Sequence, residues 1–135
     1  MMNMSKMSMV QKITVSFGAV YVLIGILGFI PGITQATAIP GQGLLLGIFA
    51  VNLIHNIAHL LLGAILIVGG MSAANVTMTN KALAVIFAVL VVGSFIAPIV
   101  EGVAINPPDT LLHLASALLT GYLGFMAKPS VMRTA

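Results

Sequence analysis

The sequence predicts an all-α integral membrane protein folded as a four-helix bundle. Of its 135 residues, 60% are hydrophobic and only 5% are charged, and the mean hydropathy is +1.20. The apolar residues form four long segments that contain no Asp, Glu, Lys or Arg. A helix of about 20 such residues crosses a hydrocarbon core about 30 Å thick. A chain of this length has room for one transmembrane domain, 1–135, and no separate soluble domain.

Each predicted span stops where helix-breaking or polar residues begin. The predicted spans are 13–30, 44–70, 82–100 and 111–127. Pro31 ends the first span because proline cannot continue the helical hydrogen-bond ladder. The Gly69-Gly70 pair ends the second span, and Pro98 lies near the end of the third. Asp109 is predicted as the N-cap of the fourth span, and Lys128 follows the end of that span.

The second span is too long for one straight membrane helix. Its 27 residues would extend about 40 Å. Three glycines, Gly41, Gly43 and Gly47, lie before Asn52. We therefore expect 43–50 to lie in the membrane interface or to fold back, and the helix itself to begin near Asn52.

The positive charges predict the orientation of the chain. All five lie in the terminal regions or between the second and third spans: Lys6, Lys12, Lys81, Lys128 and Arg133. The other two loops carry none. Because Lys and Arg are retained on the cytoplasmic side, both termini are predicted to be cytoplasmic and the protein to be integral to the inner (plasma) membrane.

An internal similarity suggests two pseudo-repeated helical hairpins. Asn52 and His59 are seven residues apart at the start of the second span, and Asn106 and His113 are seven apart at the start of the fourth. Such repeats can be related by an axis along the membrane normal. This arrangement would place His59 and His113 at equal depth on facing helices.

Polar residues recur at helical spacing in these two spans. Polar groups cannot face lipid without losing their hydrogen bonds, so both stripes are predicted to face the bundle interior and each other. The stripe of the second span is Asn52, His55, Asn56, His59 and Gly63, and that of the fourth is Asp109, His113, Ser116 and Thr120. All three histidines would then gather in the outward-facing half.

Several roles for these histidines stay open on the sequence alone. His59 and His113, with His55 as a neighbour, could ligate a haem iron or a chlorin magnesium between helices. Alternatively, all three could bind a divalent metal ion together with an outer carboxylate, Glu101 or Asp109. The cluster could also relay protons, or it could simply hydrogen-bond the helices together.

The composition argues against catalysis and nucleic-acid binding. Cysteine is absent, both carboxylates are expected at the outer surface, and Ser116 lies on the same helix as His113, where a nucleophile–base bond is poor. The basic residues are scattered singly, which is not typical of a nucleic-acid site. We therefore expect no enzyme, but an accessory or scaffold subunit of a larger membrane complex in contact with the lipid bilayer.

Small residues four apart predict places of close helix approach. The pairs are Ala84/Ala88, Ala117/Gly121 and Gly43/Gly47. Such pairs let helix backbones pack closely in membranes.

The two polar motifs also carry a family resemblance. Val51-Asn52-x-x-His55-Asn56-x-x-His59-Leu60-x-x-Gly63, followed by Asn106-x-x-Asp109-x-x-x-His113-Leu114, resembles a bacterial family of small four-helix membrane proteins catalogued only as a domain of unknown function. The resemblance covers residues 10–127. It implies a stand-alone bundle of four spans, and it implies no activity.

Overall fold

The computed structural model describes residues 3–96 and 103–128. Pro98, Glu101 and Arg133, which figured in the sequence predictions, lie outside the described residues. The described chain is mostly helical. Its four helices are α1 (Met9–Leu27), α2 (Leu53–Met71), α3 (Val76–Ile96) and α4 (Pro107–Gly121), and α4 continues as a π-helical turn over Tyr122–Met126.

The all-α prediction was wrong in one respect, because a small sheet lies between α1 and α2. Its three strands are β1 (Thr34–Ala36), β2 (Gly43–Leu45) and β3 (Phe49–Val51), paired antiparallel in the order β1-β2-β3. A tight turn joins β2 to β3, with positive φ at Leu46 (55°) and Gly47 (73°). The predicted second span therefore begins as strands and a turn, and the helix starts at Leu53, close to the expected Asn52.

Asparagine side chains set the starts of α2 and α4. The Oδ1 atom of Asn52 accepts from the backbone N–H of His55 at 3.0 Å. Asn106 Oδ1 likewise accepts from the N–H of Asp109 at 3.4 Å. The N-cap of α4 is thus Asn106, and Asp109 lies in the first turn, because the two prolines that follow Asn106 fit the first helical positions. The two helices begin in the same way, as the internal similarity implies, but common descent of the hairpins stays a prediction.

The helices pack as two hairpins, α1 with α2 and α3 with α4 and its π-helical turn. Two glycines bring the backbones of the first hairpin together. A Cβ atom built on Gly18 would lie 2.7 Å from the carbonyl oxygen of Gly63, and one built on Gly63 would lie 2.7 Å from that of Gly18. The predicted Gly43/Gly47 helix contact was wrong, because both residues belong to the sheet and its turn. Gly121 does face Ala84, since a Cβ atom built on Gly121 would lie 4.0 Å from the Cβ of Ala84.

An apolar cluster joins the two hairpins near the middle of the bundle. It consists of Tyr21, Leu66, Leu83 and Phe87, each at most 1% exposed. We call the end of the bundle next to β1–β3 the sheet end, and the opposite end, where α1 and α3 begin, the terminal end. Three helices, α1, α2 and α3, are long and apolar enough to cross a membrane.

Candidate metal centre

Four side chains that can ligate a metal converge at the sheet end. His55 and His59 come from α2, and Asp109 and His113 come from α4. One ligand atom from each residue lies within 4.8 Å of the others, and the four residues are at most 4% exposed. Asp109 was expected both on the inward-facing stripe of α4 and at the outer surface. It is fully buried, as the stripe predicted, because the first turn of α4 directs it towards α2; the expected exposure at the outer surface was wrong.

The hydrogen bond of His55 decides which of its nitrogens is free to ligate. His55 Nδ1 lies 2.6 Å from the carbonyl oxygen of Ala104. A carbonyl only accepts, so Nδ1 carries the proton and Nε2 keeps its lone pair. Metal-bound histidines usually donate their other N–H to a carbonyl or carboxylate in this way. His55 is therefore oriented to ligate through Nε2.

The free nitrogen of His55 points at His59. The two Nε2 atoms are 3.0 Å apart, and the ring centroids are separated by 4.3 Å. Two nitrogens bound to one tetrahedral zinc at about 2.0–2.1 Å would be about 3.3 Å apart. The ring of His113 completes the group, with its centroid 6.1 Å from the centroids of both other histidines.

Asp109 supplies the negative charge of the cluster. Its Oδ2 atom lies 3.4 Å from His55 Nδ1, a nitrogen whose proton is already directed at Ala104. Neither carboxylate oxygen has a hydrogen-bond partner among the described residues, and neither does His59 Nδ1. A buried carboxylate without partners is strongly unfavourable, and a divalent cation between these four side chains would satisfy it.

Aromatic rings hold two of the histidines in place. The ring of Tyr21 meets that of His59 edge to face at 5.4 Å, and Phe87 stacks on His113 at 6.0 Å. The hydroxyl oxygens of Tyr21 and Ser116 are 2.7 Å apart. Because the Ser116 hydroxyl donates to the Leu112 carbonyl, Tyr21 is the donor. Ser116 thus contacts the cluster indirectly, through Tyr21, whose ring packs against His59.

The two asparagines of the predicted α2 stripe do not join the cluster. Asn52 caps the helix, and buried Asn56 faces α1, where a Cβ atom on Gly28 would overlap its amide. Both asparagines line a separate cavity of about 400 Å³ beside Thr34 and Gln42. The stripe therefore divides into a histidine face towards α4 and an asparagine face towards α1.

Sequence reasoning missed the roles of Tyr21, Phe87 and Ala104 at the site. Tyr21 was not among the predicted site residues, although a lone tyrosine inside an apolar span is itself a signal of an interior hydrogen bond. Phe87 lies in an apolar stretch without a distinguishing pattern. Ala104 acts through its backbone, for which the sequence carries no signal.

A second buried polar contact lies at the terminal end. Asn80 Nδ2 donates to Thr14 Oγ1 at 2.8 Å and to the Val76 carbonyl at 2.9 Å. Thr14 is on α1 and Asn80 is on α3, so the bond links the two hairpins. It contains no metal-ligating group.

The arrangement suits a single ion better than a porphyrin. A haem ligated by His59 would place its macrocycle around the iron, about 2 Å from the ligating nitrogen. His55 Nε2 already lies 3.0 Å from His59 Nε2, inside the volume that such a ring needs. His55 would have to move out of the bundle interior before His59 and His113 could bind a porphyrin.

Comparison with known proteins assigns the chain to a family but does not identify an activity. No curated protein and no solved structure matches it. The family model described as "Domain of unknown function (DUF4383)" matches residues 11–126, which includes the whole histidine cluster and all four helices except the first two residues of α1. The chain therefore belongs to this family of domains of unknown function.

Proposed function

We propose that this protein is a non-catalytic integral membrane protein that binds one divalent transition-metal ion through His55, His59, Asp109 and His113. The convergence of these four buried side chains, with both Asp109 oxygens unpaired, carries the proposal. Three imidazoles and one carboxylate favour Zn²⁺, Cu²⁺, Ni²⁺ or Co²⁺. Ca²⁺ and Mg²⁺ prefer sites made of oxygen ligands alone.

The proposal also includes four membrane-spanning helices in this protein. Three helices have the required length and apolarity, and α4 with its π-helical turn covers Pro107 to Met126, about the 20 residues that a span requires. Lys12 and Lys81 lie within the first two turns of α1 and α3, and Lys128 follows the π-helical turn. These charges support cytoplasmic termini, which would place the metal site in the outward-facing half of the inner membrane.

The ligand set supports a structural or regulatory role for the ion. Structural zinc sites use four protein ligands, whereas catalytic sites leave one position to water or substrate. Four side chains would fill a tetrahedral shell here. A role as accessory subunit of a larger complex remains a compatible proposal, which co-purification of defined partners after mild detergent extraction would test.

Metal titration of purified protein tests the proposal. Chelator-treated protein in detergent is titrated with Zn²⁺ by calorimetry, and Co²⁺ is added separately to follow its visible absorption. We expect one ion per chain, and loss of binding in His59→Ala and His113→Ala. Thr120→Val is the matched control, because Thr120 is buried on the same face of α4 and its hydroxyl donates to the Ser116 carbonyl.

Absence of binding in this titration would overturn the metal proposal, and so would either of two other results. One is binding that persists unchanged in both histidine variants, which would place the ion elsewhere. The other is a Soret band in protein from the native host that disappears in His59→Ala and His113→Ala, which would favour the haem or chlorin alternative.

A further inference from the structure

We infer that the bound ion latches the two helical hairpins together at the sheet end, so that this end is closed with the ion and open to water without it. The inference rests on the proposed metal binding and adds a regulatory role for the same site. The juxtaposition behind it is simple: each hairpin contributes two of the four ligands.

Each hairpin is held together without the cluster. The Gly18–Gly63 backbone contact joins α1 to α2, and Gly124 joins the π-helical turn to α3, where a Cβ atom would lie 2.6 Å from the Lys81 backbone nitrogen. Such close glycine contacts fix the two helices of a hairpin against each other. Separation of the hairpins therefore requires no change inside either of them.

Contacts between the hairpins differ from one end to the other. The middle has the apolar cluster of Tyr21, Leu66, Leu83 and Phe87, and the terminal end has the Asn80–Thr14 hydrogen bond. Neither contact includes any of the four proposed ligands. These contacts hold the hairpins together whether or not an ion is present.

At the sheet end, the buried side-chain contact between α2 and α4 among the described residues is the ligand cluster itself. Without a cation it holds the Asp109 carboxylate of α4, neither oxygen of which has a hydrogen-bond partner, against the imidazole of His55 on α2. Hydration would relieve the carboxylate, which favours separation of the hairpins. An ion neutralises the carboxylate and forms bonds to both hairpins, which favours closure.

Opening of the sheet end would also change the segment that leads into α4, which lies next to the β2–β3 turn. The Ala104 carbonyl accepts from His55, and Asn106 Nδ2 donates to the Ile48 carbonyl at 2.7 Å. The segment that leads into α4 is therefore tied both to the cluster and to the β2–β3 turn. Ion binding at the cluster would fix this segment, and ion loss would release it.

Distances between spin labels test the latch, because the chain contains no cysteine and accepts engineered pairs directly. Ile54→Cys with Leu111→Cys reports on the sheet end, and Val68→Cys with Leu118→Cys reports nearer the terminal end; all four positions are exposed. We expect the first pair to show a longer and broader distance distribution in chelator than in Zn²⁺. The second pair should give the same distribution in both conditions.

Variants of the ligands separate the latch from the metal proposal. Asp109→Asn, introduced into the protein labelled at positions 54 and 111, removes the buried charge. The distance distribution measured in chelator should then become narrower, and Zn²⁺ should no longer change it. His113→Asn should abolish the change in distance that Zn²⁺ causes.

The outcomes distinguish failure of the latch from failure of the metal proposal. If the titration shows no binding, the proposed function fails. If Zn²⁺ binds but the first pair does not change, or if both pairs change equally, the latch alone is wrong.

Discussion

The Nδ1–H group of His55 donates to the Ala104 carbonyl over 2.6 Å, and this bond joins the first turn of α2 to the segment that leads into α4. It leaves the Nε2 lone pair of His55 facing His59. At the 3.0 Å separation of the two Nε2 atoms, His59 must then be the donor. The pair is thereby fixed in two different tautomers as long as no ion is bound.

This pairing predicts a specific NMR signature. In chelator at neutral pH, ¹⁵N-histidine-labelled protein should show His55 protonated at Nδ1 and His59 protonated at Nε2. Zn²⁺ should shift the ring nitrogens of both residues. His55→Gln and His59→Gln assign the signals. Observation of His55 as the Nε2–H tautomer would contradict the Ala104 hydrogen bond.

The contact between Gly18 and Gly63 predicts that neither position accepts a methyl group. Alanine at either position would bring Cβ to 2.7 Å from a backbone oxygen, and such overpacking costs about 1–3 kcal/mol. Gly93→Ala is the control, because nothing lies within 4 Å of its added Cβ. That variant should be neutral or up to about 1 kcal/mol more stable. Reversible unfolding in mixed micelles measures the difference, and equal effects of the three substitutions would contradict the packing.

The hydrogen bond between Tyr21 and Ser116 predicts energetic coupling across the two hairpins. A double-mutant cycle of Tyr21→Phe and Ser116→Ala should give a coupling of about 0.6 kcal/mol, the average for such bonds in a membrane protein. Tyr122→Phe should change the free energy of unfolding little, because Tyr122 is exposed. Strict additivity of the two substitutions would show that the hydroxyl groups do not interact.

The proposed orientation predicts which positions react from outside the cell. Single cysteines at Ser5, Ala38 and Asn75 lie at exposed sites before α1, beside the sheet and between α2 and α3. A membrane-impermeant maleimide should label Ala38→Cys on intact cells or spheroplasts. It should label Ser5→Cys and Asn75→Cys only after permeabilisation. The reverse labelling pattern would show that the protein has the opposite orientation in the membrane. Labelling of all three positions on intact cells would contradict the predicted membrane spans.

Sequence patterns predicted the features that depend on helical periodicity. The spacing of His55 and His59 on one helix, and of Asp109 and His113 on another, is enough to place each pair on one face. The position of Asp109 was ambiguous, because the helical stripe placed it towards the interior while its place beside two prolines also fitted a surface cap. The start of α4 at Pro107 decides between the two and turns Asp109 inward.

The sheet was missed for a different reason. Its strands are three residues each, too short to show an alternating pattern, and the apolar residues after Gly43 raise the hydropathy as a membrane helix would. Gly47, at the turn after β2, was the available signal of a hairpin. Asn80 was missed because Thr77, Thr79 and Lys81 surround it, so that it resembles part of a polar loop between the second and third spans, and its contact with Thr14 depends on tertiary structure.

The division of the ligands between hairpins also sets an order of events during biosynthesis. The ribosome completes α2, with His55 and His59, well before Asp109 and His113 of α4 emerge. A chain inserted only as far as α3 would hold His55 and His59 but neither Asp109 nor His113, which is half of the proposed ligand set. The proposed metal binding therefore predicts that loading is a late step in maturation, and that a nascent chain that stalls before the fourth helix would reach quality control without an ion.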